Sequence, residues 1–337
     1  MTQSNDISRR QFIRMTAAAS ALLVGGVGYG LAKQQQMTRV TETQMLLGSV
    51  ANLTLISHQP EKARQAIAAA FGKMSALEDV FSRFRPNSQL SQLNAKGHLQ
   101  DAHPAFVDVM AKAIHYGDLS SGAFDVSVEP VLRLYRQGSQ SGTMPSDDQI
   151  AAAQQTVDYR QISLAPDSIS LSKPGMAITL DGIAKGYIID AGAAVLRDHG
   201  FEHILVELGG DLQAYGDADQ RPWHVRIERP RSSSSAPIMT SLENRAMATS
   251  GDYQNAFTPD LRLHHIIDPT SGISPGELAS ATVIAPTACD ADALSTTMLV
   301  MGTQADLALI EQLPTAEALL ITKAGQAYTS ANFPAST

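Results

Sequence analysis

The chain has 337 residues, is 44% hydrophobic and carries a formal net charge of −8, so it has enough apolar residues for a buried core and is not a disordered chain. The acidic balance argues against a nucleic-acid-binding protein, because such proteins present a basic surface to phosphates. The single cysteine, Cys289, excludes an intrachain disulfide framework and a cysteine-based zinc site.

The first 32 residues have the pattern of an export signal. Residues 1–31 contain Asp6 and three arginines, a local charge of +2 that leaves −10 for the rest of the chain. An uncharged stretch follows from Met15 to Ala32. The run Ser-Arg-Arg-Gln-Phe-Ile at 8–13 resembles a twin-arginine signal, so we expect export to the periplasm.

A membrane anchor is the alternative interpretation of this segment. Its 18 uncharged residues reach the lower limit for spanning a bilayer, although their glycines weaken it as a stable anchor. No cysteine follows the stretch until Cys289, which excludes an N-terminal lipoprotein anchor.

Helical and strand patterns follow a linker over residues 33–45. Apolar residues at helical spacing predict helices from Pro60 to about Val80, from near Pro104, from Gly182 to Gly200, and over Ala291–Met301. Strand patterns occur at His203–Leu208, Trp223–Glu228, Ala281–Ala285, Leu319–Thr322 and Gln326–Thr329. Polar, glycine- or serine-rich segments predict loops at Gln137–Ser146 and Arg231–Pro237.

This mixed order of helices and strands predicts the fold class. Because the strands and helices do not alternate in a regular βαβ pattern, an α+β fold is favoured over a doubly wound sheet. We find no internal repeat and no long linker, so we expect one bilobal unit with mixed sheets and packed helices over residues 46–330. A C-terminal tail over residues 331–337 follows.

Asp292 and Thr296 form the most specific candidate site. They are four residues apart on a predicted helix, so both side chains project from one face. A carboxylate and a hydroxyl suit Mg²⁺, which keeps few protein ligands and takes phosphate oxygens as others. The alternative is a helix N-terminus at which Asp290 or Asp292 caps backbone amides.

Three further segments are weaker candidates for a functional site. Leu180–Tyr187 carries two glycines and Lys185 between a predicted strand and helix, an arrangement that suits a phosphate at a helix N-terminus, or equally a tight turn. Gly209-Gly210-Asp211 favours a turn. His265 lies in a predicted short apolar strand, where it is either a general base or a hydrogen-bonded histidine at a sheet end.

Eight short motifs follow one another in a fixed order after the signal. They are Leu-Gly-Ser at 47–49, Ser-Arg-Phe-Arg-Pro-Asn-Ser-x-Leu-Ser-x-Leu-Asn at 82–94, Gly-Ala-Phe-Asp at 122–125, Ile-Ala-Lys-Gly-Tyr at 183–187, Glu-Leu-Gly-Gly-Asp at 207–211, Thr-Ser-Gly-Asp-Tyr at 249–253, His-Ile-Ile-Asp-Pro at 265–269 and Ala-Asp-Ala-Leu-Ser-Thr at 291–296. Together they resemble the FAD:protein FMN transferases, the ApbE family, over residues 46–330. The resemblance implies an ApbE-like, T-fold-related architecture.

The resemblance also implies a reaction and its residues. Enzymes of this family use FAD and a divalent cation, Mg²⁺ or Mn²⁺, to attach FMN to a Thr or Ser of a target protein and release AMP. By similarity the metal ligands are Asp292, Thr296 and the carbonyl of Ala184. The FAD site would include Leu47, Phe84, Ala123, Phe124, Asp125, Asp181, Lys185, Tyr187 and Ile267. His265 is the main candidate for the proton acceptor and Asp252 a weaker one.

Some positions depart from the family pattern, and other functions remain open. Leu47 and Ser49 stand where the family has Met and Thr, and Phe84 lacks the hydroxyl common at its position. An FAD pyrophosphatase and a non-catalytic periplasmic flavin-binding protein are the alternatives. By resemblance, the expected acceptor is a membrane-bound respiratory subunit, such as the one that serves nitrous oxide reduction.

Overall fold

The computed structural model describes residues 37–231 and 236–336, so the predicted signal over 1–32 lies outside the described residues. The described part of the chain contains more strands than helices, and most of the strands are short. They are β1 (Thr38–Leu46), β2 (Ser49–Ser57), β3 (His98–Gln100), β4 (Ile162–Ala165), β5 (Ser168–Leu171), β6 (Ile204–Leu208), β7 (Asp211–Tyr215), β8 (Trp223–Ile227), β9 (Ile238–Leu242), β10 (Ala246–Gly251), β11 (Leu278–Ala285), β12 (Glu317–Thr322), β13 (Ala327–Thr329) and β14 (Ala335–Ser336).

Helices separate several of these strands. They are α1 (Pro60–Phe81), α2 (Gln89–Lys96), α3 (Pro104–Leu119), α4 (Glu129–Ser141), α5 (Asp147–Gln154), α6 (Ala184–Asp198), α7 (Ala288–Met301) and α8 (Thr303–Ile310). Pro60 and Pro104 lie at the starts of α1 and α3, where the missing N–H of proline removes no hydrogen bond within the helix. None of the helices in the described ranges is long and apolar enough to cross a membrane.

An eight-stranded antiparallel sheet forms the centre of the fold. Its order is β1-β2-β6-β7-β10-β11-β12-β13, and α1, α6 and α7 pack against one face. The sheet of β14, β9 and β8 covers the other face. Side chains therefore alternate between two cores: Ala318 and Leu320 of β12 join the core under the helices, whereas Leu319 and Ile321 join the core under the small sheet.

A third apolar cluster lies beyond the helix-covered face. Residues of α4 and α5 pack there on the segment 252–276, with Tyr135 stacked on Phe257 at a ring-centroid distance of 5.7 Å. The hydroxyl of Tyr135 donates to the carbonyl of Gly272 at 3.0 Å. This cluster forms the wall that faces the starts of α6 and α7.

The mixed helices and antiparallel sheets confirm the predicted α+β class, but several local predictions were wrong. The linker over 33–45 becomes β1 from Thr38 onward and pairs with β2 along its whole length. The tail over 331–337 includes buried Phe333 and strand β14. The loop at Gln137–Ser146 begins inside α4, which continues to Ser141.

The predicted strand around His265 is also absent from the described structure. Only an isolated bridge between Ala256 and His264 forms there. The apolar residues Ile266 and Ile267 are buried against a cleft and not in a sheet. Their hydrophobicity therefore indicates burial, but the prediction of a strand was wrong.

The starts of α6 and α7 lie directly against each other. The N–H of Gly186, in the first turn of α6, donates to Asp292 Oδ2 of α7 at 3.0 Å. In return, Asp190 of α6 accepts from the N–H groups of Ala288 and Cys289 at 2.8 and 2.9 Å. Each helix thus satisfies free amides at the start of the other.

We expect Gly186→Ala to destabilise the protein. A Cβ at this position would collide with the carbonyl of Ala288, so the two helices would have to separate. The expected loss in the free energy of unfolding is about 1–3 kcal/mol, measured by denaturant unfolding.

Gly72→Ala is the matched control, because Gly72 is also helical but a Cβ there has no neighbour within 4 Å. This variant should gain about 0.5–1 kcal/mol. Equal stability of the two variants would contradict the close helix contact.

Candidate active site

A cleft of about 700 Å³, including its mouth, lies between the starts of α6 and α7, the end of β10 and the wall formed by α4 and the segment 252–276. The lining residues are Ala123, Phe124, Asp125, Val126, Val128, Leu132, Thr179, Asp181, Gly182, Lys185, Thr249, Ser250, Gln254, His265, Ile266, Ile267, Asp292, Thr296 and Val300.

One end of the cleft concentrates charge. Lys185 Nζ lies 2.7 Å from Asp211 Oδ2, and Asp211 is 3% exposed. Burial alone would lower the pKa of Lys185, but the carboxylates of Asp211 and Asp292 outweigh it, so the pKa is raised and the ammonium stays charged. A fixed cation in a cleft suits an anionic ligand group.

Asp292 is the buried carboxylate of this end. Burial raises its pKa, the negative charge of Asp211 raises it further, and Lys185 and the N–H of Gly186 oppose the rise. A carboxylate held in this way is poorly compensated by the protein alone. A bound cation would supply the missing positive charge.

Thr296 lies next to Asp292 on the same face of α7, as predicted from the spacing. Its Oγ1 is 3.1 Å from Ser250 Oγ of β10. A Cβ on Gly182 would lie 3.0 Å from Thr296 Oγ1, so the loop before α6 runs closely past this hydroxyl. Neither Asp290 nor Asp292 caps α7, because Thr287 does so, but Asp292 does accept from a backbone amide at the start of α6, as the alternative allowed.

The donor set fits a hard cation that keeps most of its coordination for ligand and water. Within the described ranges, no group of three or more His, Cys, Asp or Glu side chains is arranged to hold a metal. A site of one carboxylate, one hydroxyl and backbone oxygen is nevertheless what Mg²⁺ uses when phosphates complete its shell. The buried charge of Asp292 is the observation that favours such a cation.

His265 also faces the cleft. Burial lowers its pKa below the usual 6.5, although Asp181 and the backbone carbonyl of Gln254 favour the protonated form. Its Nδ1 is buried without a hydrogen-bond partner among the described residues. A neutral imidazole with a free nitrogen is a suitable proton acceptor.

The other end of the cleft is apolar. Phe124, Val128, Leu132 and Ile267 line it, and all four are buried. Asp125 lies beside them, but its oxygens accept from Ser127 N–H, Ser127 Oγ–H and Tyr159 N–H at 2.6–3.1 Å. Asp125 therefore shapes this wall and has limited capacity for a ligand.

The structure brings together Ala123, Phe124, Asp125, Asp181, Lys185, Ile267, His265, Asp292 and Thr296 from the predicted set. The remaining predicted residues are not among those that line the cleft. Leu47 occupies a turn and donates its N–H to Glu78 at 3.2 Å. Tyr187 packs edge-on against Phe81, with ring centroids 5.6 Å apart.

Phe84 and Ala184 are close to the cleft without lining it. Phe84 is 72% exposed and lies under the Arg83 guanidinium, which also pairs with Asp181 at 2.9 Å. Ala184 is buried at the first position of α6, directly after the loop that passes Thr296.

Asp252, the weaker candidate for the proton acceptor, is not among the residues that line the cleft. Its carboxylate is fully buried away from the cleft lining and pairs with Arg231 at 2.8 Å and Lys323 at 3.6 Å. Both ion pairs use Oδ2, whereas Oδ1 is buried without a hydrogen-bond partner among the described residues, so a role for Asp252 stays a prediction.

Sequence reasoning missed residues that the fold adds to the site. Asp211 begins β7, directly after the predicted Gly-Gly turn, and its carboxylate reaches Lys185 from another element. Thr249, Ser250 and Gln254 also line the cleft. The motifs at 207–211 and 249–253 contain three of these residues, but Asp211 was assigned only to a turn and Thr249 and Ser250 were given no role.

Taken together, this is an α+β protein whose cleft joins a carboxylate, lysine and hydroxyl cluster to an apolar wall, as a ligand with a charged and a flat apolar part requires. The model of the ApbE family matches residues 47–320, and the chain belongs to that family.

Curated relatives match over most of their length. The FAD:protein FMN transferase of Treponema pallidum is 30% identical over 323 residues, which cover 88% of this chain and 87% of the relative. The enzyme of the same name from Haemophilus influenzae is 31% identical over 271 residues, which cover 76% and 78%.

Solved structures have the same fold. The flavin transferase ApbE from Vibrio cholerae superposes with a TM-score of 0.75 at 27% identity, over 88% of this chain and 98% of the other. The ApbE protein from Thermotoga maritima gives a TM-score of 0.79 at 27% identity, over 87% and 97%.

Proposed function

We propose that this chain transfers FMN from FAD to a Thr or Ser hydroxyl of an acceptor protein and releases AMP, as the names of its relatives indicate. The observation that carries the proposal is the junction of the charged cluster of Asp292, Thr296 and Lys185 with an apolar wall in one cleft. A flavin dinucleotide presents the matching parts, a diphosphate and flat aromatic rings.

We propose that Mg²⁺ is the cation of this site, with Mn²⁺ as a substitute. Asp292 and Thr296 would hold it together with the carbonyl of Ala184. When bound, the metal neutralises diphosphate oxygens and stabilises the charge that develops during transfer. The carboxylate of Asp292 is already oriented for this role by the N–H of Gly186.

The residues of the chain supply binding and proton transfer. Lys185 is a fixed positive charge beside the diphosphate end, and its pairing with Asp211 holds the ammonium in place. His265 accepts the proton of the acceptor hydroxyl as the oxygen forms its bond to the FMN phosphorus. The phosphorus–oxygen bond to AMP breaks in the same displacement, and AMP leaves with the pyrophosphate bridging oxygen.

Asp292→Asn should abolish most of the transfer. Removing the negative charge while keeping the side-chain shape should lower the rate by about 10²-fold or more. The measurement is incubation with FAD, Mg²⁺ and a respiratory flavoprotein domain, followed by fluorescence of a denaturing gel.

Asp290→Asn is the matched control, because Asp290 lies on the same helix but bonds Tyr116 outside the cleft. A Thr/Ser→Ala acceptor variant should give no band. AMP and free FMN without any labelled acceptor would support a pyrophosphatase, and no FAD consumption would support a flavin-binding protein. Either result would contradict the proposal.

The pH profile should report His265. Because burial lowers the pKa of His265, its imidazole is neutral at pH 7 and becomes protonated only below pH 6.5. We therefore expect kcat to decrease as the pH is lowered below 6.5 and to be independent of pH above it. His265→Gln should be about 10²–10⁴-fold slower and lose this limb. Stopped-assay rates between pH 5 and 8 measure both, and an unchanged limb in the variant would exclude His265 as the base.

We also propose that the chain acts in the periplasm after twin-arginine export, on a membrane-bound respiratory flavoprotein. The motif at residues 8–13 supports this proposal. Replacing Arg9 and Arg10 by lysine should keep the charge but retain the protein in the cytoplasm, as measured by fractionation and immunoblotting. Periplasmic protein at the wild-type level in this variant would contradict the export route.

A further inference from the structure

Three hydroxyl groups form a chain from the core of α7 to the cleft. Ser295 Oγ donates to the carbonyl oxygen of Asp292 at 3.0 Å. Ser250 Oγ lies 2.9 Å from Ser295 Oγ and 3.1 Å from Thr296 Oγ1. Ser295 is completely buried and Ser250 is 9% exposed, so these two hydroxyls are shielded from bulk water, whereas Thr296 is half-buried at the cleft.

The direction of this chain follows from proton counting. A carbonyl oxygen can only accept, so the single proton of Ser295 is committed to Asp292. Ser295 must therefore accept the proton of Ser250. Ser250 then has no proton left for Thr296, and the remaining hydrogen bond is formed by the proton of Thr296.

Thr296 differs in this respect from its helical neighbours. Ser295 and Thr297 both donate their hydroxyl protons to carbonyls one turn earlier in α7, as Ser and Thr commonly do inside helices. The hydroxyl of Thr296 instead contacts Ser250 on β10. Its proton is thus drawn toward the sheet, and the oxygen lone pairs remain available on the cleft side.

We propose that Ser250 and Ser295 are positioning residues that fix the hydroxyl of Thr296 as an acceptor toward a cation in the cleft. The inference rests on the proposed function, because it concerns the cation site formed with Asp292. Outer hydrogen bonds of this kind orient metal ligands, and their loss typically lowers metal affinity by about 10–100-fold. The hydrogen bonds between β10 and α7 set the orientation of the Thr296 hydroxyl without a bound ligand.

The test is the affinity of the full chain for Mn²⁺, titrated by electron paramagnetic resonance at saturating FAD without an acceptor protein. Ser250→Ala should weaken Mn²⁺ binding by about 10–100-fold. Ser295→Ala should also weaken it, because the freed proton of Ser250 can then turn toward Thr296 Oγ1. Ser250→Thr keeps the hydroxyl and should restore most of the affinity.

Thr297→Val is the matched control on the same helix. Thr297 is equally buried and its hydroxyl also donates to a helix carbonyl, but this bond is to Ala293 and is not part of the chain. This variant should lose stability without losing Mn²⁺ affinity. Thermal unfolding of every variant separates a folding defect from a binding defect.

The outcomes distinguish the two claims. If Asp292→Asn loses Mn²⁺ binding while Ser250→Ala and Ser295→Ala bind like the parent, the positioning role is wrong and the metal site stands. If Asp292→Asn also binds like the parent, the metal site itself is wrong. If Thr297→Val weakens Mn²⁺ binding as much as Ser250→Ala, the effect is general to α7 and the inference is overturned.

Discussion

The reciprocal capping of α6 and α7 is the constraint on which the site depends. Asp190 of α6 accepts from two amides at the start of α7, and Asp292 of α7 accepts from Gly186 at the start of α6. Because a helix start leaves amides without internal partners, two starts that are buried together need acceptors from neighbouring groups, and here each helix supplies acceptors for the other. The glycine at position 186 makes the approach sterically possible.

The contact between the starts of α6 and α7 buries charged side chains, and their burial would cost free energy without partners. The carboxylate that caps α6 is one of three acidic groups near Lys185, together with Asp211 and Asp181. Arg83 pairs with the exposed Asp181, which leaves Lys185 to balance the two buried carboxylates of Asp211 and Asp292, and the chain as a whole is acidic. The excess negative charge explains why an anionic diphosphate would need a cation as an intermediary. The apolar wall formed by α4 then supplies contacts that need no charge.

Sequence patterns predicted the parts of the fold in which burial is one-sided. Helices such as α1 repeat apolar residues on one face, so their positions were predicted nearly to the residue. Strand β1 was missed because most of its side chains are exposed on both faces, which leaves no alternation to detect. The apolar residues Ile266 and Ile267 were taken for a strand because a cleft wall and a sheet bury side chains equally well.

The candidate site was predictable where its geometry is local. Asp292 and Thr296 share a helix face, so their spacing alone brought them together. Asp211 was missed because the Gly-Gly turn before it was interpreted correctly as a turn, whereas its partner Lys185 is distant in sequence. Asp252 was the weaker candidate for the proton acceptor in the sequence, and only the tertiary fold pairs its carboxylate with Arg231.

The central claim is that the joined starts of α6 and α7 hold a cation against the diphosphate of FAD. Anomalous diffraction from crystals grown with FAD and Mn²⁺ tests it most directly. We expect an anomalous peak in contact with the Asp292 carboxylate and Thr296 Oγ1, with diphosphate oxygens on its open side. Manganese bound elsewhere, or a diphosphate bound without contact to a cation at these two residues, would contradict the account.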